Sequence, residues 1–61
     1  MNLDYDIFEL LPNGTALWRD FVRGLDAVLA RLNKLANYSD NEFFAVDLAT
    51  NRVAARANAK S

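Results

Sequence analysis

Sixty-one residues, 52% of them apolar, make one small globular domain rather than a disordered chain. Seven basic and eight acidic residues leave a formal charge of −1, without the basic excess that marks nucleic-acid and membrane-surface proteins. Cysteine and histidine are both absent, which excludes disulfides, argues against zinc, and removes the usual general base and thiol nucleophile.

These numbers also pose a stability problem. A chain this short buries roughly 60% of the surface its unfolded form exposes, and a core of this size supplies only a few kcal/mol. With no disulfide and no metal, association is the remaining staple. No apolar run approaches the ~18 residues needed to span a bilayer. Residues 1–6 are acidic rather than basic, unlike a signal peptide, so a cytoplasmic location is expected.

Asp4 to Leu11 reads as a first strand, carried by Tyr5, Ile7 and Phe8. Pro12-Asn13-Gly14 is a turn signal, and it leads into a second strand over Thr15 to Arg23 with Leu17, Trp18, Phe21 and Val22. A two-residue Asn13-Gly14 loop pairs Asp4 with Arg23, Asp6 with Phe21, Phe8 with Arg19 and Leu10 with Leu17. These eight residues then share one face. Tyr5, Ile7, Glu9, Ala16, Trp18, Asp20 and Val22 share the other. A three-residue loop slips the register by one and recombines the faces.

Gly24 ends the strand and opens a helix over Leu25 to Ala36. Leu25, Val28, Leu29, Leu32, Leu35 and Ala36 recur at the spacing of one apolar stripe. The expected buried helix interface is Leu25, Val28, Leu29, Leu32 and Leu35. Asp26 suits the positive end of the helix dipole, and Arg31 and Lys34 suit the negative end. Asn37 to Asn41 is a loop by composition.

Glu42 to Leu48 reads as a third strand with Phe43 and Phe44 on opposite faces. Ala49-Thr50-Asn51 is a turn with Asn51 as the left-handed residue. Arg52 to Ala57 is a fourth, alanine-rich strand, with a frayed helix as the competing reading. In the strand reading Val53, Ala55 and Ala57 alternate against Arg52 and Arg56. Residues 1–57 form the domain and 58–61 a disordered tail. The expected fold is α+β, ordered β-β-α-β-β. It is a four-stranded, mainly antiparallel sheet in spatial order 2-1-3-4 or 1-2-4-3, with one helix on one face.

The stretches Asp4-Tyr5-Asp6-Ile7-Phe8-Glu9, Leu11-Pro12-Asn13-Gly14, Leu17-Trp18-Arg19 and Asn41-Glu42 resemble a group of small, uncharacterised bacterial proteins of similar length. The resemblance runs to about Val53. It implies a small bacterial protein and carries no activity, cofactor or site residue.

The residues therefore point away from catalysis. The carboxylates are scattered, the hydroxyls have no histidine to activate them, and no catalytic, cofactor-binding or metal-binding residue is assigned. Apolar side chains exceed what one helix can cover, and such an excess marks an interaction surface. The expected role is a non-enzymatic interaction module, homodimeric through the sheet face or edge away from the helix. Phe21 and Phe44 are expected at the centre of the partner surface and Arg19 and Arg23 at its rim. The alternative is a platform for single-stranded nucleic acid, with Arg19, Arg23, Arg52 and Arg56 around Phe21.

Overall fold

A computed structural model describes residues 3–59. Strands β1 (Asp4–Leu10) and β2 (Ala16–Arg23) precede helix α1 (Leu25–Tyr38), and β3 (Glu42–Asp47) and β4 (Arg52–Ala57) follow it. The strands form one antiparallel sheet in the order β2-β1-β3-β4. This is the expected α+β fold in the first of its two allowed strand orders, and the alanine-rich segment is a strand. No helix among the described residues is long and apolar enough to cross a membrane.

The first hairpin departs from the two-residue loop. The Leu11 and Thr15 backbones close it, with the Leu11 N–H donating to Thr15 O at 2.8 Å and the Gly14 N–H to Leu11 O at 2.9 Å. The loop is therefore Pro12-Asn13-Gly14. Gly14 at φ +89° is the left-handed residue that such a three-residue loop requires. The shorter register returns further along because β2 carries a bulge. Phe8 pairs with Trp18 and Ile7 with Asp20, which leaves Arg19 without a cross-strand partner. Asp4 still meets Arg23 and Asp6 still meets Phe21, but Phe8–Arg19 and Leu10–Leu17 do not form. Open space surrounds the Gly14 Cα, so Gly14→Ala is expected to cost only the left-handed backbone strain, ~1–2 kcal/mol. Chemical denaturation measures it, and no loss would mean a turn without positive φ.

The core lies between α1 and one sheet face. Tyr5, Ile7, Phe43 and Ala45 from the two central strands meet Val28 and Leu32 from the helix, and all six are buried. Val22, Leu35, Ala55 and Ala57 pack at its margin. Leu25 and Leu29, expected in this interface, are 48% and 51% exposed. The helical period places them on one flank of the stripe, with Arg31 on the other, where it pairs with Asp20 of β2 at 3.0 Å. The leucine flank thus lies toward β4, whose helix-side residues Ala55 and Ala57 are too short to cover it.

The other end of the helix is tied down by polar groups. Asn58 adopts φ +54°, and its Nδ2 donates to Ser39 O at 2.8 Å and Asn41 O at 3.3 Å. Asn58, the first residue of the expected tail, is therefore fastened to the α1–β3 loop. Residues 60–61 of that tail lie outside the described residues. Asn51 takes the left-handed conformation expected of it, with φ +61°.

Candidate interaction surface

Among the described residues, nothing packs on the sheet face away from the helix. Strand alternation and the register place its side chains in rows across the sheet. One row runs Phe21, Asp6, Val46, Val53. The next runs Trp18, Phe8, Phe44, Arg56. Ala16, Leu10 and Glu42 close one end, and Arg23, Asp4 and Leu48 close the other. The centre is apolar: Phe8 and Phe44 stack with ring centroids 5.4 Å apart and planes 18° from parallel. Toward the edges, Trp18, Phe21 and Val53 are 54%, 46% and 43% exposed.

Two bulges create this surface. Without the extra Arg19 residue, period-two alternation would turn Trp18 onto the helix face. The bulge puts Trp18 and Phe21 on the same open side. In β4, Val46 pairs with Val53 and Ala45 with Ala55, so Ala54 is the extra residue. Val53 joins the open face, while Ala55 and Ala57 stay on the core side.

The charges on the face are largely paired within the chain. Arg23 Nε donates to Asp4 Oδ1 at 2.9 Å, and Arg56 Nη1 donates to Glu42 Oε2 at 2.7 Å. Asp6 differs: it accepts from Trp18 Nε1 at 3.2 Å but forms no ion pair among the described residues.

Of the four residues expected at the partner surface, Phe21, Phe44 and Arg23 share this face and Arg19 does not. The bulge sends Arg19 to the helix side, where its Nε donates to Glu9 Oε1 at 2.8 Å and its Nη2 reaches the same oxygen. Arg52 pairs in register with Asp47 on the core side. Each of the two arginine pairs expected to share a face is therefore split. Arg23 and Arg56, left on the open face, sit at opposite corners with a carboxylate each.

Glu9 is the polar residue that composition alone leaves unexplained. It is 4% exposed, in a groove of about 430 Å³ lined by Arg19, Leu35, Tyr38, Ser39 and Phe43. Its Oε2 accepts from Asn41 Nδ2 at 2.7 Å and Ser39 Oγ at 3.3 Å. With the two Arg19 donors, all of its roughly four acceptor sites are taken. The Asn41 and Arg19 hydrogen bonds and the Arg19 charge hold its carboxyl below the ordinary value, against the opposing effect of burial. A carboxylate so engaged is a clamp between β1, the β2 bulge and the α1–β3 loop, with no lone pair left for proton transfer.

Comparison with known proteins returned no matching family model, no matching curated protein and no matching solved structure.

Proposed function

We propose that this protein is a small, non-enzymatic, cytoplasmic interaction module that self-associates through the open sheet face. One observation carries the reading: an aromatic surface built by Phe8, Phe44, Trp18 and Phe21, with Val53 beside it, lies on the side the helix does not cover. A second copy is the simplest cover, because a two-fold dimer closes such a surface on itself.

Area sets the expected strength. Four strands ~4.8 Å apart and about seven residues long present roughly 450 Å² of sheet plane per copy. The pair buries about 900 Å², below the ~1,200 Å² of stable specific interfaces and in the range of weak, transient ones. An interface of that size corresponds to micromolar or weaker dissociation rather than nanomolar.

Light scattering on a size-exclusion column, run as a dilution series through the micromolar range, tests this. The expected mass is twice 6.9 kDa at the concentrated end, at low and high salt alike. Phe21→Asp introduces an unpaired charge into the interface and is expected to weaken association by at least ~100-fold. The helical circular dichroism should not change. The new carboxylate faces Asp6 across the β1–β2 pair, so Phe21→Ser serves as the companion without like-charge repulsion. Unfolding of both variants would make Phe21 a core residue and sink the reading.

Single-stranded nucleic acid is the weaker occupant of this face. Stacking platforms for it depend on unpaired cations, and the two arginines on the face each hold a carboxylate. Binding to an oligonucleotide that falls steeply with salt would reverse that order.

A further inference from the structure

We infer that the second copy packs with its strands aligned, about a two-fold axis running along the strands between β1 and β3, so that Arg56 of one copy covers Trp18 of the other. This deepens the proposed self-association and rests on it. Two symmetric ways lay this face on its own copy with the strands of the two sheets aligned. An axis along the strands exchanges the strand positions and keeps the rows. An axis across the strands keeps the strand positions and exchanges the rows.

The charge pattern distinguishes them. Asp6 is the carboxylate on the face without an ion pair among the described residues. With the axis across the strands, the aromatic row lies over the Asp6 row. Asp6 then faces the partner's Phe8 with an aromatic on either side, and a carboxylate loses its water with no cation in return. With the axis along the strands, β4 of one copy lies over β2 of the other. The Arg56 guanidinium then sits over the indole whose Nε1 already donates to Asp6. Asp6 itself then lies over the partner's Val46, one strand and one row from the partner's Arg56, so that guanidinium, held on one side by its own Glu42, meets the ring face within side-chain reach of the carboxylate.

The apolar residues match in the same arrangement. Phe21 meets Val53, and the stacked Phe8–Phe44 pair of each copy meets its counterpart at the axis. The small angle between the two sheets, which an axis across the strands would share, is the aligned packing that twisted sheets adopt.

The monomer supplies a clean test. Trp18 and Arg56 lie on opposite edge strands, three strand spacings or roughly 14 Å apart, so they do not touch within one chain. Any coupling between them in the dissociation constant is a contact between copies. We would measure dimer dissociation for wild type, Trp18→Leu, Arg56→Met and the double variant, with circular dichroism confirming the fold of each. The contact occurs twice in a two-fold dimer, so with the axis along the strands the double variant binds about 5- to 30-fold tighter than the product of the single losses predicts. Arg56→Gln, which also removes the cation, replaces Arg56→Met if the latter fails to fold.

Trp18 is the one tryptophan in the chain, so its emission should also shift to the blue as dimer forms. A dimer in which the single losses multiply overturns the aligned arrangement and leaves self-association standing. A monomer throughout the concentration range overturns both.

Discussion

Phe43→Ala is expected to unfold this domain, and Phe44→Ala to leave it folded. The two side chains are adjacent in sequence and point to opposite sides of β3. Phe43 is 2% exposed and packs in the core. Removing a phenylalanine from such a site costs ~3–5 kcal/mol, because transfer and cavity costs add. Typical stabilities of ~0.05–0.15 kcal/mol per residue give this chain about 3–9 kcal/mol in total. Losing Phe43 therefore consumes much or all of the margin.

Phe44 lies on the open face against Phe8. Its removal forfeits a stacking contribution of ~0.5–1.5 kcal/mol and some half-buried area, which a folded monomer survives. The same change removes the centre of the proposed interface, so the mass in solution should fall to the monomer's. Thermal and urea melts followed by circular dichroism, beside light scattering, separate the two effects. A Phe44→Ala protein that melts as readily as Phe43→Ala would mean that something in the chain covers the second face.

This contrast was legible in the sequence, since alternation alone separates Phe43 from Phe44. The helix, both hairpins and the left-handed Asn51 were legible for similarly local reasons. The bulges were not. An extra residue in one strand has no signature in hydrophobic pattern, yet each bulge reverses every assignment beyond it. Arg19 shows the consequence. By count from Asn13-Gly14 it shares a face with Arg23, and the bulge sends it to Glu9. The exposure of Leu25 and Leu29 was hidden for a different reason. Periodicity marks the width of an apolar stripe, but how much of it is covered depends on the facing strand. Here that strand presents Ala55 and Ala57.

Glu9 combines a legible part with a hidden one. Alternation already places it on the face of Tyr5 and Ile7, which is the buried face. Nothing local announces that Ser39 and Asn41, thirty and thirty-two residues away, will meet it there. The cluster makes β1 a hub. One carboxylate ties it to the β2 bulge and to the loop where the helix returns to the sheet. Asn58 fastens β4 to the same loop. In a chain without cysteine, this corner ties β1, the β2 bulge, the α1–β3 loop and the end of β4 together through polar contacts.

Removing that carboxylate is expected to cost about 2 kcal/mol. The estimate is for Glu9→Ala, which loses four hydrogen bonds, two of them to a guanidinium that is still 43% exposed and can rehydrate. The charge makes a separate contribution that pH reveals. The folded carboxyl titrates below the ordinary 4.5, with the Asn41 hydrogen bond the largest cause and Arg19 next. The unfolded chain therefore takes up its proton first as pH falls. The stability Glu9 contributes is complete above about 4.5 and is lost as pH drops through the lowered folded value. Glu9→Gln keeps the shape and lacks this titration. Unfolding free energies from urea should then show wild type well above Glu9→Gln at neutral pH, with the two curves converging in acid. A fixed, low protein concentration keeps self-association out of the comparison. A gap between the curves that does not change with pH would mean that Glu9 acts through packing alone, and that its ion pair with Arg19 does not stabilise the fold.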